Sequence, residues 1–239
     1  MEGTNGIACD SANARVFVTA GSSNSLLVIN VSNSTNPFLI GVVSDNTALK
    51  GALGIAYNGL NDVVFVTAFG ASTRGMLTAV SVVNSSKPVI VGNMSDSSMG
   101  GPHSVAIHEE EGIAFVSSYW KHSVVAVDIS DPRAPSMLCD NNNSKVMKKA
   151  SGVGFDFGAK LVFVAGQDSN SLAVLTTLTP TGMPTAVPTS EPTLLPSLLP
   201  SLEPTAVPTN LCPAGTFLKN GSQCENCTVS YLNRKAHLR

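Results

Sequence analysis

One short motif returns four times, as Val16-Phe17-Val18, Val64-Phe65-Val66, Ala114-Phe115-Val116 and Val162-Phe163-Val164, with the phenylalanines 48, 50 and 48 residues apart. A repeat of 20 to 50 residues belongs to solenoids, propellers and arrays, where a unit cannot bury its own apolar face and must stack on its neighbours. The register holds beyond the motif. Eight residues before each phenylalanine stand Cys9, Tyr57, Ile107 and Phe155, preceded by Ala8, Ala56, Ala106 and Gly154, and before those by Ile7, Ile55, Val105 and Val153. A third apolar run follows at Leu26–Ile29, Leu77–Val80, Val124–Val127 and Leu172–Leu175, delayed in the second copy by an insertion within 69–76. A fourth run opens on Pro37, Pro88 and Pro135, and the last copy has no convincing counterpart.

Each unit therefore reads as four short β-branched runs parted by Gly, Asn, Asp, Ser and Pro, with no helical period. Several runs are apolar at consecutive positions, the mark of a strand covered on both faces. The blades of a β-propeller meet that condition, because each four-stranded sheet lies between two others. A β-sandwich would also give short strands, but offers no reason for a fourfold repeat. The prediction is an all-β chain with blades at about 6–52, 53–102, 103–150 and 151–183, within a propeller region 1–179. Residues 6–10, 54–58, 104–108 and 152–156 should be the innermost strands, and the four phenylalanines should be buried beside them. Cys9, in a register held elsewhere by larger apolar groups, should be a small buried hydrophobe.

The segment Val125-Ala126-Val127-Asp128-Ile129-Ser130-Asp131-Pro132-Arg133-Ala134-Pro135 resembles the signature of the LVIVD-repeat propeller family. Leu27-Val28-Ile29-Asn30-Val31-Ser32 through Asn36-Pro37 is similar, with Asn for Asp, and Pro102-His103-Ser104-Val105-Ala106-Ile107 resembles that family's strand start. The likeness covers about residues 6–180 and fades in the fourth copy, where Thr176 replaces the Asp. It implies a propeller found mostly in secreted or surface proteins, and carries no catalytic motif.

Four copies are the minimum for a ring, since propellers have 4 to 8 blades. With an incomplete last copy and no apolar signal segment in residues 1–15, an open arc from a longer protein is expected, against the alternative of a small closed four-bladed ring. After the repeats, prolines stand at every fourth position from Pro180 to Pro208. That spacing forbids helix and predicts a disordered, extended Pro/Thr/Ser-rich stalk over 180–210, reaching about 90 Å at ~3.1 Å per residue. Beyond it, Cys212-Pro213-Ala214-Gly215-Thr216-Phe217 and Cys224-Glu225-Asn226-Cys227 resemble the opening of an ephrin-receptor-like or TNF-receptor-like cysteine-rich module. Such modules depend on disulfides, so Cys212, Cys224 and Cys227 are disulfide candidates in a partial module at 211–232, followed by an unassigned tail, 233–239. Cys139 replaces the glycine found at Gly41 and Gly92.

The net charge is −2 and 13% of residues are charged, with no basic stripe. This argues against nucleic acid and electrostatic membrane docking, and no run reaches the ~18 apolar residues of a membrane span. Seven N-x-[ST] sequons, at Asn30, Asn33, Asn84, Asn93, Asn142, Asn220 and Asn226, favour a secreted or cell-surface setting. Candidate chemistry gathers in the third copy. The loop before the innermost strand and the loop between the second and third strands open on one propeller face, which brings His103 near Tyr119, Trp120, Lys121 and His122. Two histidines fall short of the three or four ligands of a metal site, so no metal, cofactor or catalytic group is assigned. His108 aligns with Asp10, Asn58 and Asp156 at a hairpin, a turn position, with Glu109, Glu110 and Glu111 as its solvated tip. The function expected is a non-catalytic binding protein that presents a propeller on a stalk to a protein or glycan. The alternative is a metal-assisted hydrolase or oxidoreductase with its site at the channel mouth.

Overall fold

The computed structural model describes residues 3–70 and 74–176, and the backbone of 216–219 and 223–226. Fifteen strands form four antiparallel sheets in chain order. The first blade is β1 (Thr4–Asp10), β2 (Arg15–Ala20), β3 (Ser25–Asn30) and β4 (Phe38–Ser44). The second is β5 (Ala52–Asn58), β6 (Val63–Ala68), β7 (Met76–Ser81) and β8 (Val89–Ser95), and the third is β9 (Pro102–His108), β10 (Ile113–Ser118), β11 (Ser123–Asp128) and β12 (Ser136–Asn142). The fourth has β13 (Ala150–Asp156), β14 (Leu161–Gly166) and β15 (Ser171–Thr176), and no fourth strand among the described residues. A separate hairpin pairs β16 (Thr216–Lys219) with β17 (Gln223–Asn226). The stalk, and the side chains of Cys212, Cys224, Cys227, Asn220 and Asn226, lie outside the described residues.

Turn chemistry recurs with the strands. Ala14, Asp62, Gly112 and Lys160 occupy one register and all have positive φ, as do Gly3, Gly51, Gly101 and Lys149 at the start of each inner strand. Asp10 closes its hairpin by accepting from the amides of Ala12 and Asn13 at 3.1 and 3.2 Å, an Asx turn.

Strands β1, β5, β9 and β13 lie side by side in that order, whereas β13 and β1 make no comparable contact. The sheets thus form an arc, and its interfaces repeat. One face of a blade presents the phenylalanine and a β3-type leucine or valine; the back of the next presents the residues ten and eight before its own phenylalanine. Phe17, Leu26 and Val28 pack with Val64, Val66, Ile55 and Tyr57, and Phe65 and Leu77 pack with Ala114, Val116, Val105 and Ile107. Phe115 and Val124 meet Val162, Val164, Val153 and Phe155. A hydroxyl crosses each interface as well: Thr19 donates to the Leu53 carbonyl at 2.6 Å, Thr67 to that of His103 at 3.4 Å, and Ser117 to that of Ser151 at 3.2 Å. Near the axis the inner strands approach so closely that a Cβ on Gly54 would stand 2.4 Å from the His103 carbonyl oxygen.

The end blades depart from the expected burial. Phe17, Phe65 and Phe115 are buried, but Phe163 is only half-buried, since among the described residues no further blade covers its face. Cys9, expected inside, is an exposed free thiol, and Ile7 is 66% exposed. Both sit on the back of the first blade, where Tyr57, Ile107, Ile55 and Val105 of later copies find a neighbour. Glycine at Gly41 and Gly92 has a packing cause: a Cβ there would lie 2.2 Å from the Ser85 oxygen or 2.3 Å from the Pro132 oxygen of the next blade's outer loop. The fourth blade lacks that loop among the described residues, so Cys139 has room for a side chain, and it is disulfide-bonded.

At the end of the arc where β1 turns into β2, a buried polar cluster joins blades one and two. Arg15 bridges Asp10 and Asp62, each at 2.6 Å, and donates to the Val82 carbonyl and the Ser85 hydroxyl, each at 2.9 Å. Tyr57 donates to Asp62 at 2.9 Å. Burial raises the Asp10 pKa, but hydrogen bonds from Asn13 and Arg15 outweigh it and hold the carboxyl below its ordinary value. Between blades three and four the counterpart is the exposed pair Lys160–Glu111 at 3.1 Å. His108, expected as a turn residue, is buried against Phe155 and Phe157, and its Nδ1 accepts from the Glu111 amide at 3.4 Å.

These contacts set a contrast measurable by urea denaturation at pH 7. Arg15→Met strands a buried Asp10 carboxylate and should cost about 3–5 kcal/mol. Lys160→Met removes an exposed ion pair and should cost about 0–1 kcal/mol. Equal losses would show that the Arg15 cluster is not the tie between its blades.

Candidate functional site

Each blade's inner-strand start and the loop between its second and third strands open at one end of the arc, opposite the Arg15 cluster. There the structure brings His103 and Tyr119 together as the sequence indicates, in a stacked pair with ring centroids 4.5 Å apart and planes at 11°. Phe69, from the end of β6, meets His103 edge-on at 5.8 Å and lies 5.5 Å from the Trp120 ring. On the far side Lys149 holds its ammonium 5.6 Å from the Tyr119 ring centroid. It also pairs with Asp168 at 2.9 Å. The result is a row of rings, Phe69–His103–Tyr119, ending in a cation, that runs from blade two to blade four with Trp120 beside it.

Backbone chemistry seats these groups. Gly101, at φ +62, lies against Trp120, and a Cβ there would come within 2.9 Å of the indole. The stem of Lys121 rests on Gly100 in the same way, 3.0 Å from where a Cβ would stand. Trp120 and Tyr119 donate their amides to the Gly100 and Gly101 carbonyls at 2.9 and 3.1 Å. Trp120 remains 53% exposed, and Lys121 is exposed. His122 plays a different part. With φ +58, it accepts the Lys149 amide on Nδ1 at 3.0 Å, so its ring fixes the start of β13. Both His122 and Lys149 hold a left-handed conformation unusual for such residues, at positions filled by Asn24 and Asn170 and by Gly3, Gly51 and Gly101 in other blades.

His103 also borders a cavity of about 490 Å³ with Ser104, Leu53, Gly54, Asn5 and Ile7, walled by the innermost strands. Burial lowers the His103 pKa below its ordinary value, which favours the neutral imidazole near pH 7. The hydrogen bond to Asp168 raises the Lys149 pKa. Among the described residues no group of three or more His, Cys, Asp or Glu side chains is placed to hold a metal ion. No helix of the described residues is long and apolar enough to cross a membrane. Sequence reasoning missed Phe69, Lys149 and Asp168. Phe69 was within reach, since it stands four residues after Phe65 as Tyr119 does after Phe115; Lys149 is marked only by replacing a glycine.

This is a β-propeller fold, represented by four blades. No family profile matches the chain, and no curated protein sequence does. Among solved structures it is similar to a protein of unknown function from Desulfotomaculum acetoxidans, at 14% identity and TM-score 0.61 over 75% of this chain and 54% of the other. It is similar to a β-propeller domain from Myceliophteria thermophila, at 12% identity and TM-score 0.55 over 72% and 50%. A third is a chain of a nidogen–laminin complex, at 14% and 0.55 over 72% and 59%. The chain thus spans about half the length of these proteins, and at such identities the likeness is one of fold.

The depressed His103 pKa gives a signed expectation. As pH falls below about 6.5, the unfolded chain takes up a proton that the folded His103 resists, so stability is lost as pH drops through that value toward the folded pKa. Thermal melts from pH 7.5 to 5 should show His103→Phe losing less stability on acidification than the parent protein. Parallel curves would remove His103 from the pH response.

Proposed function

We propose that the chain is the recognition head of a non-catalytic, secreted or cell-surface protein, binding a protein or glycan through the ring row at the channel mouth. The observation that carries this reading is Trp120, an indole more than half exposed beside three further rings and a cation. Exposed aromatic groups seated on rigid backbone are the usual energetic centres of binding surfaces. The repeats themselves, on the residues quoted above, are of LVIVD type. Asn33, Asn84, Asn93 and Asn142 are exposed and could accept glycans. The Cys139 disulfide suits an oxidising compartment. With Cys9 free, the chain's other cysteines are those of the module, and peptide mapping without reductant should join Cys139 to a peptide from residues 211–232.

Trp120 is the single tryptophan, so its emission reports on this surface. Screening the chain against a glycan array and a panel of extracellular proteins should yield a ligand that shifts that emission. Trp120→Ala should weaken binding about thirtyfold, the size of a hot-spot truncation of about 2 kcal/mol, without lowering the melting temperature. A ligand whose affinity ignores Trp120 would relocate the site. A full-length product found unglycosylated in the cytosol would overturn the extracellular reading.

A further inference from the structure

The end of the arc that carries the ring row also gathers positive charge. Among the described residues it holds Lys50, Arg74, Lys121, Lys145, Lys148 and Lys149 against four carboxylates, whereas the opposite, hairpin end holds four cations against eight carboxylates. One end is therefore net positive and the other net negative. The sequence spreads these cations across three blades, and the fold sets them at one mouth. Backbone contacts then concentrate them beside Trp120. A Cβ on Gly100 would stand 3.0 Å from Cγ of Lys121, and one on Gly101 would stand 2.9 Å from Cδ2 of Trp120. Cδ2 is bonded to three other ring atoms and has no outward direction in the ring plane, so Gly101 lies against the flat of the indole. The indole and the lysine stem thus lie side by side on consecutive glycines, and Trp120 is still 53% exposed. The segment 142–149 is tied to the same turn by three hydrogen bonds. The Asn142 side chain donates to the Lys121 carbonyl at 2.7 Å, the Asn143 amide to the His122 carbonyl at 3.1 Å, and the Lys149 amide to the His122 ring at 3.0 Å. Met147 is buried in this segment, while Lys145 and Lys148 are exposed. Lys121, Lys145 and Lys148 pair with no carboxylate of the described residues.

We infer that the ligand of this mouth is an acidic glycan, a sugar chain bearing carboxylate or sulfate groups, an inference that rests on the ring row being a binding surface. A pyranose turns a patch of C–H groups to one side, and their partial positive charge is drawn to the negative face of an aromatic ring. An indole seated on backbone and open to solvent offers such a face. Lys121 beside it, and Lys148 on the tied segment, supply ammonium groups as point charges for carboxylate or sulfate oxygens. An acidic peptide would meet the same cations, but extended peptides gain much of their affinity from main-chain hydrogen bonds. Here the amides of Tyr119 and Trp120 are committed to the Gly101 and Gly100 carbonyls, and those of Asn143 and Lys149 to His122. What the surface has left to offer is ring faces and positive charge, which is what an acidic sugar takes.

The test titrates the full chain by calorimetry with two probes. One is a hexasaccharide of alternating uronate and sulfated hexosamine; the other is the same hexasaccharide desulfated and carboxyl-reduced. The charged sugar should bind about tenfold tighter or more, and that advantage should shrink as salt approaches 1 M, where charges are screened beyond about 3 Å. Lys121→Gln and Lys148→Gln, each checked for folding by circular dichroism, should weaken the charged sugar severalfold and leave the neutral sugar's behaviour unchanged. Trp120→Ala should weaken the charged sugar about thirtyfold, and Lys87→Gln, at the hairpin end, should change neither probe. Equal affinity for the two sugars overturns the inference, as does binding of the charged sugar that ignores Trp120 or both mouth lysines. A polyglutamate peptide of matched charge that binds as tightly as the charged sugar also overturns it. If neither sugar binds while an extracellular protein engages Trp120, the acidic glycan falls and the recognition head stands. If no ligand of any class depends on Trp120, both fall together.

Discussion

The contact between the phenylalanine face of one blade and the aliphatic back of the next is the interaction on which the other features rest. Phe17, Phe65 and Phe115 each lie in a socket built by the following copy, and a hydroxyl two residues on ties the same pair of sheets through a backbone carbonyl. No blade is stable alone, because both of its faces are apolar. Stability accrues pair by pair, as in other nearest-neighbour repeat architectures. The spacing between sheets is set at both radii by glycine: at Gly54 near the axis and at Gly41 and Gly92 toward the rim, where a single added carbon would collide with the neighbouring backbone.

That logic explains what could be read from the sequence. The period, the strand order within each unit and the positions of the innermost strands follow from where Phe, Ala and Ile recur, since repeated burial demands repeated chemistry. The same reasoning misplaces Cys9 and Phe163, whose registers are buried in the interior copies and exposed at the ends of the arc. A position in a repeat predicts burial only when the neighbour is present. His108 holds the turn position that its register indicates, accepting the Glu111 amide on Nδ1, but nothing in the register shows that Phe155 and Phe157 close over its ring.

The candidate site was half legible. His103, Tyr119 and Trp120 could be brought together because the repeat fixes which loops share an end of the arc. Phe69 and Lys149 come from flanking blades, and their part in the row depends on ring orientation and on a left-handed backbone at Lys149 that no pattern of apolar residues encodes. His122 shows the converse, a residue of promising chemistry whose ring nitrogen is taken up by the Lys149 amide.

The two ends of the arc are fastened unequally. Blade one is held to blade two by the buried guanidinium of Arg15, shared between two carboxylates, a carbonyl and a hydroxyl. Blade four is held to blade three without such a buried cluster, by apolar contacts, the Ser117 hydroxyl, the Lys149 amide on the His122 ring, the Lys149 ammonium over Tyr119 and an exposed ion pair. The chain leaves the fourth blade at Thr176, directly from its outermost described strand. A mechanical load applied through the C-terminal segment would therefore enter at the weaker fastening, pulling β15 away from β14 before the row of rings on blades two and three is disturbed. Under tension the arc would shed its last strands as slack and keep the rings of blades two and three in place to the end.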